Sequence, residues 1–171
     1  MRVLIPAFVL CLASPAFAQP VTNLADVGFL VGHWTISDGR VFLFGAIPHG
    51  SSDITKEANG GAYVVRDHSV LVGVEGQNMG SNDSVMLIYS DGGTLRAEYI
   101  NGSATLHYKG DIVSAGHLLR ITSDPSPATA YQITYELRDA NTLAVTRASK
   151  RNGDADFKPF EIQTLKRGNS N

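Results

Sequence analysis

Apolar residues along this chain alternate with polar ones in short runs. In "YQITYEL" (131–137), Tyr131, Ile133, Tyr135 and Leu137 alternate with Gln132, Thr134 and Glu136. A period of two puts the first set on one face of a strand and the second on the other. The segments that read this way are "HWTIS", "SSDITKEA", "GAYVVRDHSV", "SVMLIYS", "TLRAEYI", "ATLHYKG", "HLLRITS", "TAYQITYEL", "TLAVTRASK" and "PFEIQTLKR". Turn signals separate them at intervals of roughly 8–14 residues, an all-β spacing. "NGG" (59–61), "DGG" (91–93) and "NG" (101–102) tolerate the positive φ that tight hairpins need. "EGQNMGSND" (75–83), "SDPSP" (123–127) and "RNGDAD" (151–156) read as longer polar loops. No helical period is sustained beyond Trp34. Ahead of it, "PVTNLADVGFLVG" (20–32) reads as a short helical lead-in, capped by Thr22 or Asn23 and ended by Gly32.

Such short connections leave no room for helical crossovers, so successive strands pair antiparallel. A sheet of that many strands leaves long exposed edges unless it closes. The expected fold is therefore all-β, an up-and-down antiparallel β-barrel of about 8–10 strands. It forms one domain over residues 19–171, with a β-sandwich as the alternative.

One hairpin can be drawn residue by residue. With Asn101 and Gly102 as central turn residues, Ile100 faces Ser103, Tyr99 faces Ala104, Ala97 faces Leu106 and Arg96 faces His107. Leu95, Ala97, Tyr99, Ala104, Leu106 and Tyr108 then point inward, while Arg96, Glu98, Ile100, Thr105 and His107 point outward. A buried tyrosine hydroxyl needs a partner. Several tyrosines on the lining imply either a hydrogen-bonded core or a cavity with polar handles.

The first residues follow another pattern. Behind Arg2, "VLIPAFVLCLA" (3–13) has the form of a signal-peptide core, and "AFA" (16–18) has the small-x-small form read by signal peptidase. Cleavage before Gln19 and export to the periplasm or extracellular space are expected. The run is broken by Pro6 and shorter than the roughly 18 apolar residues of a membrane span, so no stable membrane insertion is expected after cleavage. Removing residues 1–18 removes Cys11, the only cysteine. The mature chain then has no disulfide and no thiolate. About 150 residues can bury roughly 70 % of their unfolded surface, enough for one core. The formal charge of the whole chain is −2, and nothing in that balance points to nucleic acid.

Candidate chemistry is sparse. His33, His49, His68, His107 and His117 form no closely spaced pair, so no metal site is assigned. No Gly-x-Ser-x-Gly motif occurs, and "HGSS" (49–52) is only suggestive of a nucleophile. Asp38, Asp91 and Asp139 sit in turns. Neither a catalytic residue nor a cofactor is assigned. "RVFLFGAIPHG" (40–50) is strongly apolar yet broken by Gly45 and Pro48. It reads either as a buried strand and bend or as an apolar lid at a barrel mouth, where pockets form.

"GHW" (32–34), a Gly-x-Trp at the first strand after a helical lead-in, resembles the calycin superfamily of lipocalins, fatty-acid-binding proteins and nitrobindin-like barrels. The resemblance implies that Gly32 lets the lead-in pass close beneath the barrel and that Trp34 plugs its narrow end. It also implies a basic side chain from late in the chain lying across the Trp. Lys166 and Arg167 are the candidates, and Arg167 suits stacking better. "VMLIYSDGGTLRAEYINGSATLHYKGDI" (85–112) and "KPFEIQTLKR" (158–167) are similar to a group of bacterial lipocalin-like exported proteins. That group carries an Asp and a Gly-His in the turn where this chain has Asn101-Gly102-Ser103-Ala104. Nitrobindin relatives take a haem-ligating His from near the C-terminus, and here no His follows His117, so haem is not expected.

The expected function is binding of a small, mainly apolar molecule, with Phe42, Phe44, Tyr99, Tyr108 and Tyr135 as ligand-binding residues. One alternative is an enzyme with Arg96, Glu98 and His107 facing a cavity. The other is a non-catalytic envelope protein acting through its surface.

Overall fold

The computed structural model describes residues 23–102, 104–124 and 128–168. The expected leader, its cleavage point and Cys11 lie outside them. The lead-in is a 3-10 helix, Leu24–Leu30, capped by Asn23, whose side-chain oxygen accepts from the Ala25 N–H at 3.0 Å. Leu24, Val27 and Leu30 all pack on the core. Their spacing of three matches the 3-10 period, where positions i and i+3 eclipse.

Ten strands follow: β1 (Gly32–Val41), β2 (Ile47–Glu57), β3 (Ala62–Val72), β4 (Asn78–Asp91), β5 (Thr94–Asn101), β6 (Ala104–Ser114), β7 (Leu118–Ser123), β8 (Thr129–Asp139), β9 (Thr142–Arg151) and β10 (Lys158–Arg167). Each strand-like segment of the sequence falls inside its own strand or overhangs it by one residue. Every neighbour in sequence is an antiparallel neighbour in space, and β1 pairs with β10 to close the barrel. Closure gives every strand two neighbours, although β1 and β2 pair only through Gly32–Thr35 and Ser51–Ile54.

Alternation sorts the interior into levels. At the end reached by the lead-in, Leu30, Trp34, Ile54, Ile88, Leu95, Leu119, Leu143 and Leu165 are fully buried. Toward the opposite end the inward positions turn polar: Tyr63 and Val65 give way to Asp67 and Ser69 along β3, and Leu143 and Val145 to Arg147 along β9.

Three local expectations are corrected. In the β5–β6 hairpin Asn101 pairs with Ala104, Tyr99 with Leu106 and Ala97 with Tyr108. The turn begins one residue later than expected, which moves each partner by two positions and so preserves the faces. Asn101 stays in the strand, where its side-chain NH2 donates to the Asn82 side-chain oxygen at 2.6 Å, and Gly102 takes the positive φ of 57°. His107 consequently faces Glu98, and Arg96 faces Lys109.

The polar stretch 78–83, expected as loop, is the first part of β4. It pairs with the far end of β3 through Val72, Leu71 and Val70, with an irregularity between Leu71 and Val72. The long apolar β3 needs backbone partners there, and pairing prevails over side-chain polarity.

Residues 40–50 are not one buried strand and bend: Phe42, Leu43 and Phe44 are exposed, as the lid reading expects. Val41 ends β1, residues 42–45 form a turn closed by the Val41–Ala46 bridge, and β2 starts at Ile47. Pro48 lies where β2 pairs with β3 but has no β1 partner, a position that tolerates its missing N–H.

Candidate functional site

A cavity of about 450 Å³ occupies the barrel end away from the lead-in. Leu43 and Phe44 of the 42–45 turn, Leu71 and Phe160 stand at its mouth. Tyr99, Leu106, Tyr108, Tyr131 and Ile133 form walls, and Ser69, Ser81, Asn82 and Asn101 add uncharged polar groups. Its size falls within the range of small-molecule sites, and its mix of apolar walls and few polar groups is typical of them. The 42–45 turn projects outward: Phe42 is 48 % exposed, Leu43 69 % and Phe44 64 %.

Inside sits a three-residue charge cluster. Arg147 Nη2 lies 3.0 Å from Asp67 Oδ2, and Arg147 Nη1 lies 3.3 Å from Glu161 Oε1. The three side chains are only 13–15 % exposed. Gln163 donates to the same Glu161 oxygen at 2.5 Å. Arg147 and Glu161 are cross-strand partners on β9 and β10, and both line the cavity. Burial alone would loosen the Arg147 proton, but the Glu161 and Asp67 carboxylates offset it, and the guanidinium is held even more firmly charged than usual.

The tyrosines respond to the same surroundings. Burial pushes the Tyr108 hydroxyl up to about 12, with a smaller contribution from Tyr99. Burial also raises Tyr135 well above its ordinary value, with Asp67 acting in the same direction. The Tyr135 hydroxyl is buried without a hydrogen-bond partner among the described residues.

Of the residues expected to bind ligand, the cavity brings together Phe44, Tyr99 and Tyr108. Phe42 does not line it. That side chain lines a separate outer depression with Ile47 and Ile162. Tyr135 lies in the packed core below the cavity, one inward position deeper than Ile133 on β8. Asp67, Arg147 and Glu161 were missed by sequence reading. Their signal was parity: each lies two residues beyond an inward position, in "YVVRD", "LAVTR" and "EIQTL" read from the closed end.

The residues of the catalytic alternative lie outside the barrel. His107 is 63 % exposed, with Nδ1 3.8 Å from Glu98 Oε1. His33 and His68 pair with Asp53 and Asp83 across adjacent strands, each at 2.6 Å, also on the outer surface.

The closed end carries the Gly-x-Trp motif. Trp34 is fully buried, and its indole N–H donates to the Leu30 carbonyl at 2.7 Å. The Arg167 guanidinium lies 4.2 Å from the indole ring centroid. It donates from Nη1 to the Val31 carbonyl at 2.7 Å and from Nε to the Ala140 carbonyl at 3.1 Å.

The arrangement can enclose a small molecule, but no three His, Cys, Asp or Glu side chains converge as metal donors among the described residues. No helix among those residues is long and apolar enough to cross a membrane. No protein-family model matches the chain, and no curated protein matches it.

Proposed function

We propose that the barrel is an exported, calycin-type binding protein for a small, mainly apolar ligand. The observation that carries this reading is the cavity of about 450 Å³, open at one end and lined by aromatic and aliphatic side chains around one buried charged group. A barrel that served only as a scaffold gains more from a filled interior, because unfilled space forfeits packing. The closed end is filled in that way and the open end is not. Export rests on the leader-like residues 1–18. Calycin kinship rests on the closed antiparallel meander and on the Gly32–Trp34–Arg167 arrangement.

Titration with an uncharged environment-sensitive dye such as Nile red tests the binding reading. Saturable emission from the wild type and its loss in Leu106→Trp, which fills the cavity from a wall position, is the expected result. Equal dye response in both proteins would place binding elsewhere. Mass spectrometry of the secreted protein then reads the mature N-terminus, expected at Gln19.

A further inference from the structure

We infer that the ligand carries a protonated amine on its apolar body, and that carboxylate-headed molecules are rejected. This rests on the binding-protein reading above. Among the described residues, the only charged side chains lining the cavity are Arg147 and Glu161. The Arg147 cation is already shared between two carboxylates, Glu161 at 3.3 Å and Asp67 at 3.0 Å. The cluster therefore has a formal charge of −1, held where water is scarce and screening is weak.

An entering carboxylate would have to displace one of those partners and then sit beside it. Like charges that close in a poorly solvated site repel strongly. An ammonium meets the opposite situation. Arg147 and Gln163 both meet Glu161 at Oε1, and Oε2 has no hydrogen-bond or ion-pair partner among the described residues. The walls add to this preference. Tyr99, Tyr108, Tyr131 and Phe160 present aromatic groups to the same space, and ring faces attract cations. A tyrosine hydroxyl oxygen can also accept from an ammonium. Ser69, Asn82 and Asn101 bring no compensating positive charge.

Isothermal titration of the purified chain at pH 7 with decylamine, decanol and decanoate, each below its aggregation concentration, tests the assignment. The three probes share one tail and differ in head charge. Decylamine is expected to bind about tenfold tighter than decanol, the equivalent of about 1.4 kcal/mol, and decanoate weakest. Glu161→Gln keeps an acceptor for Gln163 but neutralises the cluster. It should bring decylamine to the affinity of decanol, and circular dichroism reports whether the variant is folded. Asp67→Asn, changed on the far side of Arg147, should shift the preference in the same direction and serves if Glu161→Gln does not fold. Decanoate binding as tightly as decylamine, decylamine no tighter than decanol, or an unchanged preference in a folded variant would each overturn the inference while leaving the binding reading standing. If none of the three probes binds, the binding reading fails and the inference fails with it.

Discussion

Arg167, the last residue of β10, lies over the indole of Trp34 on β1, with its guanidinium carbon 4.2 Å from the ring centroid. The two are register partners across the seam where the sheet closes. The same guanidinium donates to Val31 and Ala140 carbonyls, so one side chain joins the lead-in, the β8–β9 turn and the plug. Arg167→Ala is expected to cost about 2 kcal/mol, combining a cation–π contact with charged hydrogen bonds. Arg167→Lys should recover only part of it, since an ammonium cannot stack flat while donating in two directions. Trp34→Ala should cost roughly 3–5 kcal/mol because it leaves a large cavity. Urea unfolding followed by circular dichroism measures all three, and an Arg167→Ala variant as stable as wild type would show that the contact is incidental.

Gly32 shares this corner. Its φ is +145°, and a Cβ there would lie 2.5 Å from Arg167 Nη1. Gly32→Ala therefore carries a backbone penalty and a steric one. The steric part should vanish in an Arg167→Ala background, giving a coupling of about 1 kcal/mol in a double-mutant cycle. Simple additivity in the same unfolding assay would mean that the guanidinium moves aside at no cost.

The buried cluster predicts an asymmetry. Arg147→Met leaves Asp67 and Glu161 facing each other without a cation and should cost about 3–5 kcal/mol. Adding Asp67→Asn and Glu161→Gln removes both uncompensated charges, and the triple variant should regain most of that loss. A triple variant no more stable than Arg147→Met would assign the loss to packing of the Arg stem.

Strand number, order and closure were legible because alternation and turn residues are local signals, and each signalled segment lies in one strand. The β5–β6 faces were legible for the same reason, while the partners were not. A turn shifted by one residue keeps side-chain parity, so the side-chain pattern alone does not distinguish the two registers. At the cavity, Tyr99 and Tyr108 could be set on the inward face from their strands. Arg147, Asp67 and Glu161 come from β9, β3 and β10, and their ion pairs span up to 80 positions of sequence. Charged residues at inward positions read as strand ends until closure brings their partners together. Residues 42–45 were legible only as one of two readings, because apolarity suits a buried strand as well as a mouth, and the turn is exposed.

Burial of the tyrosines predicts alkaline instability. Tyr108 is raised to about 12 in the folded chain, against about 10 for an exposed tyrosine. Below pH 10 both folded and unfolded chains keep the proton, and its stabilising contribution is fully present. Between about pH 10 and 12 the unfolded chain releases it and the folded chain does not, so stability falls as pH rises. The loss attributable to Tyr108 is about 2 kcal/mol after allowing for water at the cavity wall, and Tyr135 acts in the same direction. Tyr108→Phe should lose less stability than wild type over that window. Urea midpoints measured at pH 9, 10.5 and 12 give the comparison, and parallel pH curves for the two proteins would reject the assignment.

The exposed turn predicts a kinetic effect without a stability effect. Phe44 lines the cavity mouth yet is 64 % exposed, and Leu43 beside it is 69 % exposed. Residues this open contribute little burial, so Phe44→Ser and Leu43→Ser should each change stability by no more than about 0.5 kcal/mol. An apolar ligand approaching from water meets these side chains before it reaches Tyr99 and Tyr108. Replacing them removes the apolar surface on which it first desolvates, and association should slow several-fold while the equilibrium contacts deeper in the cavity persist. Stopped-flow mixing with Nile red separates the two rates. A slower on-rate with a nearly unchanged off-rate is expected for Leu43→Ser, whose side chain is the more open of the pair. On the binding reading, Phe44→Ser should add a modest rise in off-rate, because its side chain also lines the cavity. Unchanged association in both variants would mean that ligands enter by another gap in the rim, and the turn would then be a partner-facing surface instead of a portal.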